Sequence, residues 1–217
     1  MHLEFLVEDV SGMRALEVLI PKIMGAGPSF RIHPYKGIGR IPKGMRGEVD
    51  PSKRILLDAL PRLLRGYGQT YFQAGVPHAV IVVCDLDHRN RADFLSELEA
   101  TLDGCLHKPN ALFCLAIEEG EAWLLGDLPA IRTSFPHAKL AALQGYENDS
   151  ICGTWEVLAN ALVKGGAKAL ARGGWQDVGA EKSKWARQIP PNMDVENNQS
   201  PSFRRFRDAL RKTVETD

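Results

Sequence analysis

The chain has 217 residues, 44% of them hydrophobic, with 27 basic and 27 acidic side chains and a formal charge of zero. That balance suits one large globular domain with a sizeable core and excludes a disordered or low-complexity chain. No apolar run approaches the ~20 residues needed to span a bilayer, so no membrane association is expected.

The opening Met1-His2-Leu3-Glu4-Phe5 lacks a basic segment followed by a long apolar one, which argues against a signal peptide. Residues 2–7 read as a strand. Residues 11–24 read as an amphipathic helix with Met13, Leu16, Leu19, Ile20 and Ile23 on one face, and Pro21 predicts a kink or an early end. Residues 28–33 form a short strand candidate. Residues 35–50, rich in Gly, Pro and basic side chains, read as an exposed loop. Ser52 is the expected cap of a helix carrying Ile55, Leu56, Leu60, Leu63 and Leu64. A buried strand over 78–84, a helix to about residue 103 and an apolar strand over 110–117 follow. Strands that alternate with helices and are almost continuously apolar predict an α/β fold with a mostly parallel sheet covered on both faces.

Beyond Glu118 the strand signal stops. Residues 122–125, 154–170 (interrupted at Gly165-Gly166), 180–189 and 201–214 read as helices, with Ser200-Pro201 opening the last. The expected organisation is therefore a single domain, 1–217. Residues 1–127 form an α/β core holding the site, and 128–217 form a mainly helical C-terminal extension. Cys84, Cys105, Cys114 and Cys152 show no Cys-x-x-Cys spacing and read as reduced thiols of a cytoplasmic protein.

The zero net charge hides a segregation. Between residues 31 and 65 nine Lys or Arg stand against three acids, and between 85 and 127 ten acids stand against three bases. A metal-assisted phosphodiester enzyme needs cations for the backbone and carboxylates for the metal. Helix faces alternating in sign are the plainer alternative. Asp85 and Asp87 close the run 78–84, and ligands of open α/β sheets bind at the carboxyl ends of strands. Glu8 follows the first strand in the same way. These carboxylates are the expected ligands of a hard divalent cation, Mg²⁺ or Mn²⁺. A turn at Asp85 with a helix cap at Asp87 is the competing explanation. Of the six histidines, His88 lies nearest the pair and is expected in solvent.

Leu6-Val7-Glu8-Asp9-Val10-Ser11-Gly12, Asp85-Leu86-Asp87 and Glu118-Glu119-Gly120-Glu121-Ala122-Trp123-Leu124-Leu125-Gly126-Asp127 together resemble a TOPRIM-like family of unknown function, distantly similar to the nuclease domain of OLD (overcoming-lysogenization-defect) proteins. The usual pattern has Gly where this chain has Asp9. The resemblance implies a metal-dependent nuclease acting on nucleic acid. In it Glu8, Asp85 and Asp87 bind the first metal or activate water, and Glu121 with Asp127 completes a second position, Glu118 being the competitor of Glu121. The segment 182–189 with Ser200-Pro201-Ser202-Phe203 resembles the C-terminal part of the same family, where a lysine steadies the transferring phosphate. Lys184 is the choice here and Lys182 the competitor. Trp123 is expected to pack in the core. The family's members are often found with an ATPase partner, so the resemblance also implies a partner-dependent effector in bacterial phage defence.

Asp85-Leu86-Asp87 admits a haloacid-dehalogenase-type phosphatase as well, but Arg89 stands where that family has Thr or Val, and the motif comes late. The basic stretch 31–43 contains Gly-x-Gly without the Lys-Ser/Thr ending of a P-loop. Its Arg31, Lys36, Arg40 and Lys43 are the expected contacts to a nucleic-acid backbone, on a flexible loop.

Overall fold

The computed structural model describes residues 1–25, 27–42, 50–75 and 77–215. Four strands, β1 (His2–Val7), β2 (Ser29–Pro34), β3 (His78–Asp85) and β4 (Ala111–Ala116), form one all-parallel sheet in the order β2-β1-β3-β4. Parallel neighbours require crossovers, and the chain supplies three helices for them: α1 (Val10–Met24), α2 (Leu56–Ala74) and α3 (Arg91–Asp103).

Alternation along the strands assigns the faces. Leu3, Phe5, Val7, Ile81 and Val83 meet Leu16, Leu19, Ile20 and Ile23 of α1 on one side. Leu6, Val80, Val82 and Cys84 meet Leu56, Leu60 and Leu64 of α2 and Phe94 and Leu98 of α3 on the other. Pro21 does not end α1, which runs on to Met24 and is closed by Gly25 at φ +64° with its N–H on the Pro21 carbonyl. The α2 start expected at Ser52 lies at Leu56. Ser52 belongs to a 3-10 turn, and the carbonyls of Gly37 and Ile38 take the N–H groups of Leu56 and Leu57.

The second half is helical, as its lack of strand signal predicts: α4 (Glu121–Leu125), α5 (Leu128–Ser134), α6 (Thr154–Leu162), α7 (Gly166–Arg172), α8 (Trp175–Gln188) and α9 (Pro201–Glu215). These helices extend the α1-side core with Trp123, Leu158, Trp185, Phe203 and Phe206. Trp123 is a core residue, stacked on Phe206 at 4.8 Å and donating its indole N–H to Ser202 Oγ at 3.0 Å. The Ser-Pro-Ser block is structural too: Asp149 accepts from Ser200 Oγ (2.7 Å), Ser202 N–H (2.6 Å) and Ser202 Oγ (2.9 Å), which pins the start of α9. No helix among the described residues is long and apolar enough to cross a membrane. The four cysteines are free thiols.

Candidate functional site

The strand order reverses direction between β1 and β3, which opens a crevice beyond their carboxyl ends. The register pairs Val7 with Val83, so Glu8 emerges beside Cys84 and Asp85. The Asp85 N–H donates to Glu8 Oε2 at 3.2 Å. From the next strand, the turn after β4 brings Gly120 against Asp85, where a Cβ would lie 3.9 Å from Oδ1, and then Glu121 at the first position of α4. Lys182 enters from α8 and places Nζ 3.1 Å from Glu121 Oε2 and 3.3 Å from Glu119 Oε1. Glu8, Asp85, Glu121 and Lys182 thus line one cavity of about 60 Å³, floored by Leu16, Leu19 and Trp123.

Burial and mutual repulsion govern the acids. Loss of water pushes Glu8 up to about 7, with the charges of Asp87 and Asp9 adding to the rise. Burial and then the neighbouring Glu8 charge hold Asp85 well above the usual carboxylate range. Burial raises Glu121 as well, against the pull of Lys182. The ammonium responds in the opposite sense: the carboxylates of Glu121, Asp85 and Glu119 outweigh its desolvation and keep it charged. The cluster is one cation among several acids that cannot all ionise cheaply in a dry crevice.

Several expected site residues lie elsewhere. Lys184 pairs with Glu181 at 3.2 Å on the exposed flank of α8, so the lysine at the crevice is Lys182. Two residues make a rotation of about 200° at 100° per residue, and only one of the two lysines can face the sheet edge. Asp127 is buried as the cap of α5, accepting from Ala130 N–H (2.9 Å) and Asp194 N–H (2.7 Å), and does not line the crevice. Glu118 accepts three hydrogen bonds of 2.8–3.0 Å from Gly153 and Thr154 N–H at the start of α6. Its left-handed backbone (φ +61°) also aligns its carbonyl with the Asp87 N–H. Asp87, itself at φ +50°, lies at the rim, tied to Arg89 at 2.9 Å. The cap of α3 is Asn90, not Asp87. His88 is exposed.

Asp9, the departure from the expected Gly, caps α1 by accepting from Gly12 N–H at 2.7 Å and also bonds Ser11 Oγ. At φ −146° its backbone requires no glycine. The loop after β2 is anchored at its start: Lys36 N–H donates to Arg54 O (2.8 Å) and Gly37 N–H to Glu8 O (3.0 Å). Gly39 is required there because φ is +68° and a Cβ would lie 2.0 Å from Ile55 Cγ2. Arg31, Lys36 and Arg40 are exposed, and Lys43 lies outside the described residues.

Among the described residues no group of three or more His, Cys, Asp or Glu side chains is arranged to hold a metal ion. Glu8 and Asp85 make a two-carboxylate donor set, the kind that holds Mg²⁺ with water completing the shell. Their depressed acidity fits a cation, since a divalent ion there would do what protons otherwise do. No protein-family model, curated protein or solved structure matches the chain.

Proposed function

We propose that this chain is a Mg²⁺- or Mn²⁺-dependent phosphodiester hydrolase acting on nucleic acid, built on a TOPRIM-like sheet. The observation that carries the reading is the convergence of Glu8, Asp85, Glu121 and Lys182 from β1, β3, α4 and α8 on one crevice at the strand reversal. Glu8 and Asp85 would hold the ion, with Asp87 at the rim. The ion would supply charge neutralisation at the phosphate and a more acidic bound water.

The chain's own groups do the rest. Lys182 carries a fixed positive charge beside Glu121 and would steady the phosphate oxygens as negative charge builds on them. Glu8, at about 7 before any ion binds, would release its proton on taking the ion up, so the hold on the ion would strengthen as pH rises through 7. The apolar floor of Leu16, Leu19 and Trp123 excludes bulk water and strengthens each of these interactions.

Supercoiled plasmid and single-stranded oligonucleotides incubated with Mg²⁺, Mn²⁺ or EDTA test the reading. Cutting that needs the metal and disappears in Asp85→Ala is expected. Cutting that survives both Asp85→Ala and Glu8→Gln would refute the assignment. One observation favours a second reading, a module that acts only with an ATPase partner. The crevice offers about 60 Å³, against the ~300 Å³ or more of ordinary small-molecule sites, so a nucleotide enters only if something opens it. Calorimetric Mn²⁺ binding without cleavage until an ATPase is added would decide for that reading.

A further inference from the structure

A second pocket, of about 160 Å³, lies where β2 ends, lined among others by His33, Tyr35, Asp50, Arg54 and Arg62. It is next to the carboxylate crevice in the chain's own hydrogen bonding: Tyr35 N–H donates to Val7 O and Gly37 N–H to Glu8 O, at 2.9 and 3.0 Å. The carboxyl edge of the sheet is therefore polarised, acids at β1 and β3 and cations at β2. At about 30 Å³ per water, the pocket has room for roughly five waters, enough for a tetrahedral anion.

Its cations are held for use. Arg54 sits at φ +51°, a conformation a non-glycine residue rarely adopts, and donates to Pro34 O at 2.7 Å, which fixes the guanidinium over the strand end. Neither Arg54 nor Arg62 has a carboxylate partner within ion-pair distance among the described residues. Both act on the Tyr35 hydroxyl, whose burial keeps it protonated and so able to donate. His33 is already bound to Glu4 at 2.6 Å. Asp50 is the one acid among the lining residues, and its Oδ1 is occupied by Ser52 N–H (2.9 Å) and Oγ (2.7 Å). Two arginines with free donors, one hydroxyl and one engaged carboxylate leave a net positive pocket suited to a planar guanidinium grip on phosphate.

We propose that this pocket binds a phosphate group of a nucleic-acid strand, with Arg54, Arg62 and the Tyr35 hydroxyl as donors. The inference rests on the reading of the chain as acting on nucleic acid and adds to it a subsite beside the crevice. A strand lying along the sheet edge would be anchored here while another of its phosphates meets the acid–lysine cluster.

The test is fluorescence anisotropy of a short labelled single-stranded oligonucleotide with the full chain, in EDTA so that nothing is cut, over a range of NaCl. Wild type is compared with Arg62→Ala, Arg62→Glu and Arg54→Ala/Arg62→Ala, each with its melting temperature recorded. The double variant is expected to bind roughly tenfold more weakly, with a log–log salt slope shallower by about 0.7 for one lost phosphate on a single strand. Arg62→Glu, on an exposed side chain that leaves Arg54 and its Pro34 bond in place, should show the larger loss of the two Arg62 changes without a change in melting. A 5′-phosphorylated oligonucleotide that binds more tightly than its 5′-hydroxyl form assigns the pocket to strand ends, and equal binding assigns it to internal phosphates. Unchanged affinity and slope in Arg62→Glu and in the double variant overturn the subsite alone. A wild type that binds no oligonucleotide overturns the subsite, and metal-dependent cutting by the same protein would leave the nuclease reading standing. Binding that depends on Arg54 and Arg62 without any metal-dependent cutting overturns only the latter.

Discussion

Replacing Glu8 by Gln isolates the cost of the buried acid cluster. The carboxyl of Glu8 is displaced from an ordinary 4.5 to about 7, chiefly because burial removes water from its charged form. Below about pH 4.5 both folded and unfolded chains hold the proton, and the group costs nothing. Between 4.5 and 7 the unfolded chain has released it while the folded chain retains it, so stability falls as pH rises and levels off above 7. At about 1.36 kcal/mol per pH unit the full displacement amounts to roughly 3 kcal/mol, an upper figure because Glu8 shares its charge balance with Asp85. Gln keeps an oxygen for the Asp85 N–H and removes the charge. In EDTA, the stability of Glu8→Gln relative to wild type should therefore grow by up to about 3 kcal/mol from pH 4.5 to pH 8. Urea unfolding measures it directly, and melting temperature should follow at about 2–4 °C per kcal/mol for a chain of this size. A difference between variant and wild type that is the same at both pH values would refute the reasoning.

Two further substitutions separate residues that the sequence leaves adjacent. Lys182→Met should cost about 3 kcal/mol in urea unfolding, because Glu121 is left buried without its partner, while Lys184→Met should change stability by no more than about 1 kcal/mol, its pair with Glu181 being only partly buried. Equal effects would overturn the placement of Lys182. Glu118→Ala removes the acceptor of Gly153 and Thr154 N–H and should cost about 2–3 kcal/mol. Amide exchange in the first turn of α6 should quicken, and unchanged exchange there would show that the cap is dispensable.

The layout of the sheet was legible because its signals are local. Strand-length runs at Leu3–Val7 (apolar but for Glu4) and Val80–Cys84 are buried on both faces, the Leu112–Ala116 run is buried from Cys114 on, and helical periodicity between them announces the crossovers. Carboxylates placed just after such runs, Glu8 and Asp85, fall at the strand ends by the same logic. Boundaries were less legible where a cap comes from far away. Ser52 looks like the cap of α2, but the carbonyls of Gly37 and Ile38 capture the helix start, and Asp149 caps α9 from fifty residues upstream. The composition of the basic loop after β2 gives no sign of the backbone bonds that tie Lys36 to Arg54 and Gly37 to Glu8.

Local sequence was enough for the class of fold and for the strand-end positions of Glu8 and Asp85, since strand length, period and position along a strand are properties of neighbouring residues. Tertiary contacts select Lys182 over Lys184 and Glu121 over Glu118 for the crevice, and they leave both Asp87 and Asp127 off its lining. Each choice turns on helix phase or on a hydrogen bond to a distant backbone, as when Asp127 is consumed by Ala130 and Asp194 and Glu118 by Gly153 and Thr154. A side chain's type is written in the chain, but whether its lone pairs are already engaged depends on what folding packs beside it.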